Sequence, residues 1–164
     1  MPGEKNIVAY ADPNDKRRVQ KDFEYQNSER GYVTRCISSK FKPSWVKYGG
    51  HKPDKSMDKK EMWRLYMNHI IAMKEKFPES NGRICRYCEQ PFTFKARRGT
   101  RGKGYQGRKG QIKTNFSLDR WDPRLTYMAS NIIFCCVNCN DKKRNSNPED
   151  WKNFLRVGKE FRSD

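Results

Sequence analysis

The chain has 164 residues, with 36 Lys and Arg against 19 Asp and Glu, a net charge of +17 and 34% hydrophobic residues. Its mean hydropathy of −1.15 is too low for apolar burial alone to offset the entropy of ordering the chain, so a further staple is expected. The charge points to a polyanionic partner, first of all double-stranded DNA, because each neutralised phosphate releases a counterion.

An anionic membrane is set aside as partner. No basic helix has a broad apolar face, no lipidation motif occurs, and the longest apolar run, 132–137, is far too short to span a bilayer. The opening Met1-Pro2-Gly3-Glu4-Lys5 has no apolar signal segment, so an intracellular rather than secreted protein is expected.

In chain order, residues 1–27 read as a basic polar arm, interrupted at Asp12-Pro13-Asn14 and carrying Lys16-Arg17-Arg18; Phe23 and Tyr25 could tack it down. Ser28 is placed to cap a helix reaching about residue 41, with Tyr32, Cys36 and Ile37 facing inward. Pro43, Gly49-Gly50 and Pro53 then break the chain. A longer helix is expected over 57–77, capped by Ser56 or Asp58, with Asp58 and Glu61 at capping-box spacing. Its stripe of Met62, Leu65, Tyr66, Ile70, Met73 and Phe77 follows the helical period. Residues 28–80 thus form a helical segment packing on a core of 81–164.

That core begins with short extended pieces at Ile84 and 92–94. A loop over 95–113 follows, with eight Lys or Arg, five Gly and no acid. Strands are predicted at 115–121, with Phe116 and Leu118 on one face, and at 131–136. A short helix should open at Asn140 and run to about Asn145. Asn147 should cap the last one, with Pro148 at its first position, Glu149 and Asp150 in its first turn, and Trp151, Phe154 and Leu155 inward. The fold class is α+β.

Cys85-Arg-Tyr-Cys88 and Cys136-Val-Asn-Cys139 are two Cys-x2-Cys knuckles. Each turn presents two thiolates, half of a tetrahedral Zn²⁺ site, and Arg83, Arg86, Lys142 and Lys143 would lower the thiol pKa values. Paired in a basic chain, they read as a structural four-cysteine zinc site rather than a redox pair. Cys135, one step out of phase on its strand, and the lone Cys36 read as core residues. His51 and His69 are the only histidines, and His69, near the long apolar stripe, reads as a packed residue.

Between and after the knuckles stand Phe116-Ser-Leu-Asp119-Arg120-Trp121-Asp122-Pro123 and Asn131-Ile-Ile-Phe-Cys-Cys136-Val-Asn-Cys139-Asn140-Asp-Lys-Lys143. This pattern resembles the HNH (ββα-metal, His-Me finger) endonucleases, and is most similar to the branch common in phages and large DNA viruses that carries Leu-Asp-Arg in place of Asp-His. The resemblance runs over about 28–160 and is strongest over 118–143. It implies a ββα-metal core stapled by a zinc ion on four cysteines, acting in the cytoplasm or nucleus of a host cell. The implied activity is metal-dependent hydrolysis of DNA phosphodiesters, as a nick or a double-strand cut.

By resemblance, Asp119 and Asn140 hold Mg²⁺ or Mn²⁺, and Asn131 ties down the intervening loop and orients the site. Arg120 stands where the family's usual general base is histidine. An arginine stays protonated at neutral pH, so it can clamp a phosphate but not accept a proton. The base would then be Asp122, Tyr127 or a hydroxide on the metal. Lys95, Arg97, Arg98, Arg101, Lys103, Arg108, Lys109 and Lys113 of the basic loop are expected to track phosphates, with Tyr105 free to stack on a base. Lys47 and Tyr48 could add a contact patch, with Trp45 more suited to the core. The competing expectation is a catalytically silent zinc module that binds nucleic acid in a structural, packaging or regulatory role.

Overall fold

A computed structural model describes residues 21, 24, 25, 27–95 and 111–160 of the chain. Most of the basic arm, including Lys16-Arg17-Arg18 and Phe23, and loop residues 96–110 lie outside the described residues. The described elements are α1 (Glu29–Lys40), α2 (Pro43–Lys47), α3 (Lys59–Lys76), β1 (Phe116–Arg120), β2 (Ile132–Cys136), α4 (Val137–Lys143) and α5 (Pro148–Glu160). The fold is mixed α+β, with a two-stranded antiparallel sheet and a four-cysteine cluster beside it.

Local chemistry sets the helix starts. Ser28 Oγ accepts from Gly31 N (3.1 Å) and Asp58 Oδ1 from Glu61 N (2.7 Å), so each caps an otherwise unpaired amide of the first turn. Asn147 Oδ1 does the same for Asp150 N (2.9 Å) ahead of Pro148. Val33 and Ile37 carry the buried face of α1, while Tyr32 and Cys36 sit at its edge. Burial pushes the Cys36 thiol up to about 11.

Two expectations at the helices are corrected. The break after α1 contains the short helix α2, which Pro43 starts because its fixed φ suits a first helical turn. On α5, Trp151 is buried but Phe154 is 55% exposed and lies flat against Trp151, with ring centroids 5.0 Å apart.

The strands pair Phe116 with Cys136, Leu118 with Phe134 and Arg120 with Ile132. Alternation puts Phe116 and Leu118 into the core, and Ser117 and Asp119 on the face toward α4. Phe116 is the hub of an aromatic cluster, 5.1 Å from Tyr66, 5.4 Å from Phe92 and 6.0 Å from Phe134. Such pairs add about 0.5–1.5 kcal/mol each beyond their buried area. Through Tyr66 the cluster fixes α3 across the sheet. Glu29 completes the join, accepting from Tyr66 Oη (2.9 Å) and pairing with Arg83 Nε (2.7 Å). Among the described residues, no helix is long and apolar enough to cross a membrane.

His69 belongs to this core. Its Nε2–H donates to the Ile84 carbonyl (2.8 Å), and its ring lies 5.4 Å from Phe134. Burial lowers its pKa from 6.5 to about 4, against the opposing effect of that hydrogen bond. The unfolded chain therefore takes up this proton near pH 6.5 and the folded chain only near pH 4. Stability present above the higher value is lost as the pH falls between the two. Thermal melts of His69→Gln, whose amide can still donate to Ile84, should show a shallower acid slope than the parent chain. An equal slope would assign the acid loss to other groups.

Candidate functional site

The first knuckle follows α3. Gly82, at φ 77°, turns the chain under the end of the helix, where a Cβ would collide with the Ile70 carbonyl. Ile84 then bridges to Pro91, and Arg86 N donates to Phe134 O (3.1 Å), which fastens the 85–88 turn to β2. The second knuckle is the junction of β2 and α4. The four Sγ atoms of Cys85, Cys88, Cys136 and Cys139 all lie within 4.8 Å of one another. Cys135 is fully buried and takes no part in this cluster.

The donor set suits a tetrahedral zinc ion. Backbone amides already point at the sulfurs, Cys136 N at Cys85 Sγ (3.3 Å) and Cys139 N at Cys136 Sγ (3.4 Å), as thiolates require. Hydrogen bonds from Cys136 and Cys139 pull Cys88 below its ordinary value, and contact with Cys136 pushes Cys85 and Cys139 above theirs. A divalent cation that takes four deprotonated sulfurs resolves that conflict.

Of the basic neighbours, Lys142 lines a recess together with Cys88 and Cys139, while two others are placed differently from expectation. Arg83 is engaged with Glu29, and Lys143 turns away from the sulfurs altogether. Glu89, at φ 60° just after Cys88, ties the knuckle to α3 and α5 through Lys76 (2.6 Å) and Lys159 (3.2 Å).

Helix α4 begins at Val137 rather than Asn140, because Cys136 is its cap. Asn140 consequently lies inside the helix and faces β1. Its Nδ2 donates to Ser117 Oγ (2.8 Å) and Leu118 O (3.3 Å), so its Oδ1 is left for other partners. One turn further on, Lys143 is fully buried. Its ammonium donates to Arg120 O (2.7 Å) and lies 3.1 Å from Asp119 Oδ2. The same oxygen accepts from Tyr87 Oη (2.7 Å), a residue of the first knuckle, whose ring packs edge-on against Trp151. Burial, then the Asp119 charge, raise the Tyr87 pKa, which keeps its phenol a donor. Among the described residues Asp119 Oδ1 carries no hydrogen bond.

Asp119, Arg120 and Asn140 line one cleft of about 480 Å³. Its walls carry Lys40, Arg144, His51, Tyr127 and Asp141 as well, and Gln111 at the edge of the basic loop reaches it. Arg120 Nη1 is bonded to the Pro123 (2.5 Å) and Leu125 (3.0 Å) carbonyls, which fixes the guanidinium against the cleft wall. Asn131 is buried outside the cleft. Its Oδ1 accepts from Asp122 N (2.8 Å), and its Nδ2 donates to Asp122 O (3.1 Å) and Thr126 O (3.0 Å), so one side chain closes the loop between the strands.

Both side chains considered as bases are unsuited to the task. The Arg124 guanidinium beside Asp122 holds its carboxyl at about 2, and burial raises Tyr127 well above an ordinary phenol. Of the loop cations, Lys95 and Lys113 fall among the described residues, and Lys113 pairs with Asp141 (2.5 Å). Arg97, Arg98, Arg101, Lys103, Arg108 and Lys109, with Tyr105, lie outside them. Sequence reasoning missed Tyr87 and His51, and assigned Lys143 to the thiols. The position of Lys143 one helical turn after Asn140, on the same face, was the available signal.

Two outcomes follow. Purified chain should carry one zinc at about 2.3 Å from each sulfur by X-ray absorption. Its removal by a strong chelator should abolish hydrogen-exchange protection in α4 and in 84–92; unchanged protection would show that the tetrad is not the staple. Asp119→Ala would leave a fully buried ammonium without its counter-charge, a change that costs about 3–5 kcal/mol. Chemical denaturation should register that loss, and the double variant Asp119→Ala/Lys143→Met should recover much of it.

Comparison with family models, with curated proteins and with solved structures finds no match to this chain.

Proposed function

We propose that this chain is a metal-dependent endonuclease of the HNH type that hydrolyses phosphodiester bonds of DNA. One observation carries the reading: the uncommitted oxygens of Asp119 and Asn140 belong to residues lining a single cleft with Lys40, Arg120 and Arg144. Three cations around two hard oxygen donors suit a phosphate bridged to a small divalent ion. The strands, the α4 helix and the cysteine tetrad support the same reading through their order in the chain.

In this reading the protein works by holding groups in place. Tyr87 and Lys143 occupy one oxygen of Asp119, and Asn140 spends its amide nitrogen on β1, so each presents its other oxygen. Those two oxygens would hold Mg²⁺ or Mn²⁺, which supplies positive charge at a phosphate oxygen when bound. Because Lys143 already neutralises part of the Asp119 charge, this pair of oxygens would hold such an ion weakly without further oxygen donors. Arg120 and Arg144 would stabilise the negative charge that builds on the phosphoryl oxygens, and Asn131 keeps the loop behind Arg120 closed. Zinc in the tetrad would be structural, joining the knuckle that carries Tyr87 to the helix that carries Asn140 and Lys143.

A second reading, a catalytically silent module that binds nucleic acid, is favoured by the same ion pair. With Lys143 beside it, Asp119 is stable without any metal. Supercoiled plasmid separates the two. With Mg²⁺ or Mn²⁺ the chain should convert it to nicked or linear DNA, and with EDTA it should not, zinc content being measured in each sample. Asp119→Asn, whose amide oxygen can still accept from Tyr87 and Lys143 although the counter-charge is lost, should abolish cleavage while retaining zinc and DNA affinity when assayed below its lowered melting temperature. Binding without cleavage in either metal would establish the silent module instead.

A further inference from the structure

The nuclease reading leaves one role unfilled, since Arg120 cannot take a proton from water. The segment that enters the cleft from the other side, after α2, supplies a residue for it. Trp45 Nε1 donates to His51 O (2.9 Å), and Gly50 N donates back to Trp45 O (2.9 Å). A Cβ at Gly50 would collide with the indole, so the chain passes at a distance only glycine allows. The indole is itself covered by Lys40, whose ammonium stands 3.6 Å from its centroid. Beyond His51, the Lys52 carbonyl accepts from Thr126 Oγ1, and Asp54 N donates to Tyr127 O (2.9 Å). His51 is thus pinned from both sides, to α2 before it and to the loop after β1 behind it.

We propose that His51 is the general base of this site, accepting a proton from the water that attacks the scissile phosphate. The proposal rests on the nuclease reading and adds to it a residue from outside the 118–143 segment. The groups lining the cleft with His51 are Lys40 of α1, Asp119 and Arg120 of β1, Tyr127 of the following loop, and Asp141 and Arg144 at α4. Lysine and arginine side chains donate hydrogen bonds but do not accept them, burial keeps Tyr127 a phenol, Asp119 is ion-paired with Lys143 and Asp141 with Lys113. Among the described residues of the cleft, His51 is the imidazole, a group that both accepts and releases a proton near neutral pH. Its surroundings, partial desolvation at the cleft first and the Arg120 charge second, lower its pKa from 6.5, which favours the neutral imidazole at pH 7.

The step balances. The water oxygen forms a bond to phosphorus as its proton passes to an imidazole nitrogen. The P–O bond to the leaving oxygen breaks, and that oxygen takes a proton from solvent. The imidazolium then returns its proton to solvent.

The test compares plasmid cleavage by the parent chain and His51→Ala across pH, with Mg²⁺ and with Mn²⁺. The His51 side chain is exposed, so the variant should fold and bind zinc as the parent does. Its kcat should fall about 10²–10⁴-fold with little change in KM, and the acidic limb of the parent's pH profile, below pH 6.5, should vanish. Added imidazole should restore part of the rate. A parent that cleaves, with a variant that keeps its rate and its acidic limb, overturns the proposal and leaves the nuclease reading standing. A parent that cleaves no DNA in either metal overturns both.

Discussion

The convergence of four cysteine sulfurs on one point governs the arrangement of everything near the cleft. It joins a turn at 85–88 to the start of α4, two pieces of chain far apart in sequence. The first piece carries Tyr87, and the second carries Asn140 and Lys143. All three side chains meet β1 within a few residues of one another, at Ser117, Leu118, Asp119 and Arg120. A chain with 34% hydrophobic residues gains from such a staple, since its composition limits the apolar surface available for burial.

Electrostatics at Asp119 show how finely this arrangement is balanced. A carboxylate at 7% exposure needs compensation, and it has a phenol and a fully buried ammonium on the same oxygen. The ammonium also anchors the backbone at Arg120, so charge neutralisation and strand geometry are one device. The consequence is directional. With Oδ2 fully engaged, whatever else binds Asp119 has to approach Oδ1. The same logic holds at Asn140, where the amide nitrogen is consumed by β1 and the oxygen is left over.

Much of the fold was legible because its signals are local. Ser28, Asp58 and Asn147 cap the helices they precede, and each needs only an amide two or three residues away. The Phe116 and Leu118 alternation and the stripe Met62, Tyr66, Ile70 and Met73 are likewise short-range patterns that burial merely selects. Legibility failed where two local rules competed. Asn140 looked like a helix start, yet Cys136 caps α4 four residues earlier, because a thiolate can accept the amide of Cys139. Phe154 fell on the expected inward face but lies outside Trp151, which already fills the space below it.

The candidate site divides in the same way. From the sequence came the two knuckles, which rest on residue type at fixed spacing, and, through the resemblance of their motif, the candidates Asp119, Arg120, Asn131 and Asn140. Only the tertiary structure decided that Lys143 serves Asp119 instead of the thiols, and that Tyr87 reaches across 32 residues to the same carboxylate. It alone brought His51 into the cleft, by bonds between Lys52 and Thr126, which lie 74 residues apart. Spacing rules describe what one helix or strand does with its own neighbours. Which side chains from separate elements share a cleft depends on how the aromatic cluster, the Glu29–Arg83 pair and the cysteine tetrad close the chain on itself, and no local pattern encodes that closure.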